Sequence, residues 1–306
     1  MKKLYTKILL FCLPVLFVWA SLEFFYRTVA TNYTYKTSQI ETEYKDIETL
    51  LLGDSHTFFG LNPEYFSAAT FNLGNISQSL YFDELLLDKH LENLLNLKTV
   101  VLNVSYFSLS AKDNSKEDSW RKYFYDQQMD LDVPIVAAYD PKKYSLALAR
   151  RFNKSAELVH TYFEKGAILS CYPNGYGKQD EGDLISDKNK IAVIIAKKHE
   201  DESLDFANNT KRLQRMIMLC KERNVRVVLL EMPVYSVYYD LLNANKKQKI
   251  KKTLSGLASN NQNTSYLDWN KNEAFLPSDF RDADHLTNEG AEKCSKLLDG
   301  VLVLNN

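Results

Sequence analysis

Short apolar runs alternate along the chain with longer stretches in which apolar residues recur every three or four positions. Apolar runs bounded by turn residues predict buried strands, and the periodic stretches predict helices that pack on a sheet. The predicted strands are Ile47–Leu52, Ala69–Leu73, Thr99–Val104, Val225–Glu231 and Tyr266–Asp268. Strands that alternate with helices predict one three-layer α/β domain with a parallel sheet of about five strands.

This domain is predicted to cover residues 46–306, and its last helix is predicted over Thr287–Val303. Between 109 and 200 the pattern loosens, because charged residues are mixed with tyrosines and tryptophan and no strand is evident. We interpret 109–200 as an insertion or lid over the sheet edge, not as a separate domain. The apolar run Lys190–Lys198 fits no element.

The N-terminus has the pattern of a membrane segment. Three lysines among residues 1–7 precede the apolar run Ile8–Ala20, and aromatic residues follow. One interpretation is a single-pass anchor over 1–27, with its N-terminus in the cytoplasm and the later chain outside it. The other is a signal peptide cleaved at Val18-Trp19-Ala20, which would yield a secreted protein. We favour the anchor because the apolar character continues beyond Ala20; a polar stalk is predicted over 28–45.

Charge and cysteine content exclude several classes of protein. The net charge is −1, which gives no indication of a nucleic-acid partner. Cys12, Cys171, Cys220 and Cys294 lack metal-ligand spacing, so the sequence predicts no zinc site, no disulfide framework and no cofactor.

Candidate chemistry lies where the first predicted strand ends, at Gly53-Asp54-Ser55-His56. Ligands bind at the carboxyl ends of parallel strands, so Ser55 is placed to act as a nucleophile there. A serine needs a base, and a carboxylate must orient that base. His285 with Asp282 supplies both groups if the fold brings the last loop over this strand. Asp284 is the competing orienter, ranked second because adjacent side chains diverge.

Gly-Asp-Ser-His-Thr after the first strand and Asp-x-x-His before the last helix together resemble the SGNH branch of the GDSL esterase family. The chain looks most similar to membrane-anchored members that modify envelope polymers, such as alginate O-acetyltransferases and the D-alanyl transfer protein of teichoic acid operons. The resemblance implies an acyl-enzyme on Ser55, with His285 as base and Asp282 as its orienting carboxylate.

The resemblance also implies an oxyanion hole. The backbone N–H of Ser55 is one candidate donor. Asn72-Leu73-Gly74-Asn75-Ile76-Ser77 resembles the family's second motif, with Ser77 where a glycine usually stands and Gly74 as the alternative donor. In place of the third motif the chain has Leu102-Asn103-Val104-Ser105, in which the side-chain amide of Asn103 is the remaining candidate and Ser105 is its alternative.

Three further residues are predicted to face a substrate: Asp54, His56 and Pro233. His56 is not expected to be the base, because it and Ser55 are neighbours whose side chains point apart. The other histidines, His90, His160 and His199, lie in polar helical surroundings and are predicted to be solvated.

The sequence thus predicts a serine-dependent O-acyltransferase or esterase that adds an acyl group, most simply acetyl, to an extracytoplasmic polysaccharide or removes it. Transfer and hydrolysis are both left open. The resemblance implies a membrane-bound O-acyltransferase as a partner. The alternatives are a non-catalytic polysaccharide-binding or assembly protein with the same fold, and a secreted lipid esterase.

Overall fold

The computed structural model describes residues 2–179 and 187–304. Residues 180–186, part of the insertion predicted over 109–200, lie outside the described residues, as do residues 1, 305 and 306. The strands are β1 Thr49–Leu52, β2 Thr70–Asn72, β3 Thr99–Asn103, β4 Arg226–Glu231 and β5 Thr264–Asp268. The helices are α1 Lys2–Thr28, α2 Asn32–Glu43, α3 Ser55–Gly60, α4 Leu80–Leu91, α5 Asp118–Gln128, α6 Leu146–Ala149, α7 Phe152–Lys165, α8 Lys188–His199, α9 Ala207–Glu222, α10 Ser236–Leu241, α11 Ala244–Asn260 and α12 Asn288–Leu304.

The five strands form one sheet in the order β2-β1-β3-β4-β5, and every neighbouring pair is parallel. Thr49 of β1 aligns with Thr70 of β2 and Thr99 of β3, so these strands begin at one level. The prediction of a parallel α/β fold is confirmed. This strand order reverses direction between β1 and β3, which is where open α/β sheets form their ligand crevice.

Both faces of the sheet are buried, which explains why its strands are continuous apolar runs. Leu51, Val101 and Val228 point to one face, where they form a core with Cys294 and Leu298 of α12. The alternate residues point to the other face, since side chains alternate along a strand. Leu50, Leu52, Val100 and Leu102 are all fully buried there.

Residues 2–37 and 116–170 form one compact unit, which we call the anchor unit. It contains α1, the start of α2, and α5 to α7. Aromatic packing holds it together: Tyr26 is 1% exposed and meets Phe124 edge-to-face at 5.5 Å, and Tyr33 meets Tyr125 edge-to-face at 5.1 Å. Helix α2 begins within the segment for which the sequence predicted a polar stalk.

Residues 38–115, 171–179 and 187–304 form a second compact unit, which we call the sheet unit. It holds all five strands together with α3, α4 and α8 to α12. The segment predicted as a continuous insertion, 109–200, is therefore divided between the two units. Helix α8 covers the run Lys190–Lys198, which the sequence analysis did not assign.

Among the described residues, α1 is the one helix that is long and apolar enough to cross a membrane. Its most apolar window has a mean hydropathy of 2.3, and none of that window is buried. A signal sequence near the N-terminus meets the same criteria, so length and composition fit both interpretations of this segment.

Candidate active site

The turn from β1 into α3 presents Ser55 at the carboxyl edge of the sheet. Asp54 is the N-cap of α3, and its Oδ1 accepts a hydrogen bond from the backbone N–H of His56 at 2.9 Å. This cap fixes Ser55 as the first residue of the helix. Ser55 is half-buried, whereas Asp54 and His56 on either side of it are buried.

The loop before α12 is held by hydrogen bonds between its own backbone groups, and these bonds fix the position of His285. Phe280 and Leu286 form an antiparallel bridge, and the N–H of Arg281 donates to the carbonyl of His285 at 2.9 Å. Asp282 Oδ1 accepts the backbone N–H groups of Asp284 at 3.0 Å and His285 at 2.8 Å. Asp282 thus organises the loop as well as facing the imidazole.

The three side chains predicted as nucleophile, base and orienting carboxylate form one hydrogen-bonded series. His285 Nε2 lies 2.8 Å from Ser55 Oγ. His285 Nδ1 lies 3.0 Å from both Oδ1 and Oδ2 of Asp282. A carboxylate on Nδ1 fixes the tautomer in which Nδ1 carries the proton, and Nε2 is then free to accept one from the serine.

Electrostatics keep Asp282 ionised in this position. Burial raises the pKa of its carboxyl, but the hydrogen bond and charge of His285 outweigh burial, and the pKa lies below its ordinary value. A charged Asp282 stabilises the imidazolium that forms when His285 takes a proton.

Behind this series lies a second buried network, which we call the His56 network. His56 Nδ1 is 2.8 Å from Asp54 Oδ1, and His56 Nε2 is 3.4 Å from Asp284 Oδ2. Burial alone would lower the pKa of His56, but Asp54 and Asp284 outweigh it and raise the pKa to about 10. His56 is therefore a buried cation at neutral pH. The other oxygen of Asp284 lies 3.4 Å from His285 Nδ1, further than either oxygen of Asp282.

His199, at the end of α8, also belongs to this network. Its Nδ1 lies 2.8 Å from the Tyr238 hydroxyl and 3.8 Å from Asp284 Oδ2. Burial lowers its pKa to about 4, so it is neutral at neutral pH. The expectation of a solvated His199 is wrong, because its side chain is only 15% exposed and contacts Tyr238 and Asp284. No local signal links this residue to Asp284, 85 positions later in the chain.

His160 is exposed, as predicted, with 72% of its side chain accessible to solvent. His90 was predicted to be solvated as well, and this prediction is wrong. His90 is fully buried, and its Nδ1 lies 2.5 Å from the Tyr44 hydroxyl. Burial lowers the pKa of His90 to about 3. It lies on α4, away from the residues that surround Ser55.

Two of the four predicted oxyanion donors, Ser55 and Ser77, are not engaged by other described groups. Within the described part of the chain, the N–H groups of Ser55 and Ser77 have no hydrogen-bond acceptor. The loop that carries Ser77 packs directly on the β1–α3 turn, because the N–H of Asn75 donates to the carbonyl of Gly53 at 3.1 Å. Ser77 is exposed and has a φ of 56°, a left-handed conformation that glycine adopts more readily.

The other two predicted oxyanion donors are engaged elsewhere. The N–H of Gly74 donates to Asn72 Oδ1 at 3.0 Å. The amide nitrogen of Asn103 donates to Asp54 Oδ1 and Ser105 Oγ, both at 3.0 Å, and so uses both of its hydrogens. Asn103 is also only 2% exposed, so it supports the His56 network rather than an oxyanion.

The three residues predicted to face a substrate are buried. Asp54 and His56 are 3% and 4% exposed, and Pro233 is buried where the chain leaves β4. The structure corrects this prediction: Asp54 and His56 pair with each other behind the serine. The pattern of a strand followed by a turn located the site, but it does not show which side chains of that turn point inward.

Asp282, Asp284 and His285 are also close enough to share a cation, since one ligand atom from each lies within 4.8 Å of the others. His285 already faces Ser55 through Nε2 and Asp282 through Nδ1. A cation on Nδ1 would have to displace that second hydrogen bond. The arrangement therefore fits a proton-transfer series better than a metal site.

No curated protein sequence matches the chain. A protein-family profile matches residues 185–305, which is less than half of the chain.

Three solved structures are similar to the chain over 89% of its length. They are a candidate acylhydrolase from Bacteroides fragilis, with 14% identity, TM-score 0.42 and 95% of that chain covered; a GDSL-like lipase from Bacteroides thetaiotaomicron, with 13% identity, TM-score 0.41 and 100% covered; and a candidate platelet activating factor protein from Streptococcus pneumoniae, with 13% identity, TM-score 0.44 and 91% covered. The chemical interpretation of the site therefore depends on the distances between Ser55, His285 and Asp282 and not on these similarities.

Proposed function

We propose that the chain is a serine-dependent acyl-transfer enzyme that acts through an acyl-enzyme on Ser55. The observation that carries this proposal is the series Ser55 Oγ, His285 Nε2, His285 Nδ1 and Asp282, with separations of 2.8 Å and 3.0 Å. A protein that only binds polysaccharide has no need of a serine hydroxyl held on an imidazole whose other nitrogen faces a carboxylate.

In the first half of the reaction Ser55 Oγ attacks the carbonyl carbon of an acyl ester. His285 Nε2 takes the hydroxyl proton, and Asp282 stabilises the imidazolium. The N–H groups of Ser55 and Ser77 donate to the oxyanion. When the carbonyl reforms, the bond to the ester oxygen breaks, and the leaving alcohol takes the proton from His285.

In the second half, a hydroxyl group gives its proton to His285 Nε2 and attacks the acyl carbon. The oxyanion forms and collapses again, the Ser55–acyl bond breaks, and the proton returns to Ser55. A polysaccharide hydroxyl makes the reaction a transfer, and water makes it a hydrolysis. We propose an extracytoplasmic polysaccharide as the acylated substrate, on the likeness of the motifs to those of envelope O-acyltransferases.

We further propose that α1 is an uncleaved membrane anchor. Its end is part of the anchor unit: Glu23 Oε2 accepts hydrogen bonds from Ser145 Oγ at 2.8 Å and from the N–H of Ala147 at 3.1 Å. Trp19 Nε1 donates to the same Ser145 Oγ at 3.0 Å. Cleavage at Ala20 would remove Trp19 from this contact. We also propose a membrane-bound O-acyltransferase as the partner, because the anchor would hold both proteins in the same membrane.

The test uses the full chain in detergent with a small activated acetyl ester, with and without a soluble sugar acceptor. Acetate and acetylated sugar are measured separately. We expect Ser55→Ala and His285→Ala to lower both products by about 10⁴-fold. Ser259→Ala, an exposed serine of α11, is the matched control and should act like the unmodified protein. Full activity in folded Ser55→Ala would overturn the proposal, and the ratio of the products decides between transfer and hydrolysis.

A further inference from the structure

One narrow face of helix α7, in the anchor unit, packs against the end of α1. Ser155 Oγ lies 2.9 Å from the hydroxyl of Tyr26, and both residues are almost fully buried. One turn from the end of α7, Tyr162 meets Phe25 edge-to-face at 5.7 Å. These contacts fix α7 at the point where α1 leaves its apolar stretch.

A second face of α7 is apolar and uncovered. Phe152, Val159 and Phe163 line a groove of about 550 Å³ whose other wall is Phe17, Val18 and Leu22 of α1. Phe152 is 64% exposed and Phe163 is 81% exposed. The polar members of this face are His160 and Glu164, which pair with each other at 3.2 Å.

The spacing of these residues shows how the two helices cross. Phe152 and Phe163 are separated by about 16 Å along α7. Both border the groove together with residues 17–22 of α1, which span only about 8 Å. Ser155 and Tyr162, about 10 Å apart on α7, also meet the adjacent residues Tyr26 and Phe25 of α1, so α7 lies across α1 and not along it. Its apolar face looks towards the apolar stretch of α1, and Ser155 and Tyr162 look towards the polar end.

Most of the charged residues near the groove lie at the polar end of α1 or on the faces of α7 that do not border the groove. Glu23 marks the polar end of the apolar stretch, and its oxygens are bound by Ser145, the N–H of Ala147 and Arg27 Nε. Lys154 and Glu157, which do not border the groove, form an exposed ion pair at 2.7 Å. Residues 150–165 contain four basic and two acidic side chains. An amphipathic helix with an excess of basic residues is typical of a membrane surface.

We propose that α7 lies in the membrane–water interface, with acyl chains of the outer leaflet filling the groove between α7 and α1. A lipid is the occupant because the α1 wall of the groove is continuous with the most apolar window of α1, none of which is buried within the protein. This proposal rests on the membrane anchor proposed above and is independent of the chemistry at Ser55. It places the anchor unit on the membrane surface, in contrast to the short polar stalk that the sequence predicted over 28–45.

The experiment is photolabelling from the lipid side. The full chain is reconstituted in vesicles of phosphatidylcholine and phosphatidylglycerol that contain a lipid with a diazirine in its acyl chain, and labelled peptides are identified by mass spectrometry. We expect label on α1 and on the α7 peptide that contains Phe152 and Phe163. Label there should exceed, several-fold, that on the peptide of Leu95, which is 73% exposed in the sheet unit.

Two variants test whether the label depends on the position of an exposed apolar residue or only on its being apolar. Phe163→Glu should lower the α7 label several-fold while label on α1 persists, and Leu95→Glu, matched in chemistry and exposure, should change neither. Label on α1 with none above the Leu95 level on α7 would overturn the proposal. So would chemical cross-links between the α7 helices of two copies in place of lipid label, because a second copy would then cover this face. An unlabelled α1 would overturn both this proposal and the anchor, and would leave the acyl-enzyme chemistry unaffected.

Discussion

At the scale of single residues, the site contains two imidazoles with different surroundings. The rings of His56 and His285 are stacked, with centroids 5.1 Å apart and 20° between their planes. His285 has a carboxylate on one nitrogen and Ser55 on the other, so it can accept a proton. Both nitrogens of His56 face carboxylates, so it is a fixed charge. The two stacked rings therefore differ in charge. His285 can accept a proton, whereas His56 carries the positive charge that faces Asp284.

The first prediction concerns pH and His56. Its pKa is raised from 6.5 to about 10 by folding, so its stabilising contribution is complete below pH 6.5 and is lost between 6.5 and 10. The free energy of unfolding should therefore fall as pH rises through this window, by up to about 1.4 kcal/mol per pH unit from this group. Denaturant unfolding from pH 6.5 to 9.5 should show a shallower fall for His56→Gln. Equal slopes for the two proteins would contradict the buried cation.

The second prediction separates the two carboxylates that face His285. Asp282→Asn keeps the shape of the partner at 3.0 Å but removes its charge, and it should lower kcat by about 10⁴-fold, because the imidazolium loses its counter-charge. Asp284→Asn leaves that pair intact but takes a partner from His56, so it should cost about 3–5 kcal/mol of stability with a smaller loss of kcat. Kinetics and denaturant unfolding of both variants check this. A larger loss of kcat in Asp284→Asn would reverse the two roles.

At the scale of secondary-structure elements, the β1–α3 turn depends on Gly53. Its φ is 137°, and a Cβ there would lie 2.5 Å from Thr57 Oγ1 and 2.8 Å from Asn103 Cβ. The glycine allows β3 and α3 to approach the strand end closely enough for the His56 network to form.

The third prediction therefore compares two glycines. Gly53→Ala should lower the midpoint of thermal unfolding and reduce kcat, because the turn that carries Ser55 must shift. Gly256→Ala is the matched control: a Cβ at this position inside α11 meets nothing within 4 Å. It should stabilise the protein by about 0.5–1 kcal/mol through helix propensity. An unshifted midpoint in Gly53→Ala would contradict the packing of this turn.

Elements with a strong local pattern were predictable from sequence. The runs that became β1, β3 and β4 are almost wholly apolar, and α12 follows a turn and repeats its apolar positions. Helix α8 was not predicted, because its apolar residues lie between lysines and only two of them are buried, Ala192 and Ala196. His199 was expected to be solvated because its contact with Asp284 joins positions far apart in the chain and leaves no local pattern.

At the scale of the whole molecule, the sheet order explains how residues 230 positions apart come into contact. Ser55 follows β1, and the chain places β3, β4 and β5 on one side of it before returning to the loop that holds His285. The shared carboxyl edge of parallel strands placed Ser55 in the sequence analysis, and the contact with His285 was expected only if the fold brings the last loop over β1. The sequence did not predict the anchor unit, since contacts such as Tyr26 with Phe124 join segments far apart in the chain and have no local periodicity.

The fourth prediction concerns that unit. Tyr26→Ala removes a fully buried ring and its hydrogen bond to Ser155, and should destabilise the anchor unit by about 3–5 kcal/mol. Amide hydrogen exchange in α5 and α7 should be faster than in the unmodified protein in the same detergent. Phe24→Ala, at a neighbouring position that is 69% exposed, should exchange at the unmodified rate. Equal exchange in the two variants would show that Tyr26 does not hold the unit together.

The central claim, covalent catalysis by Ser55, is tested most directly by the mass of the peptide that contains it. The full chain in detergent is mixed with an activated acetyl ester, quenched in acid within one turnover and digested. We expect an added acetyl group on Ser55, absent in Ser55→Ala and strongly reduced in His285→Ala. Ester turnover with an unmodified Ser55 peptide at every quench time, or turnover that persists in Ser55→Ala, would contradict it.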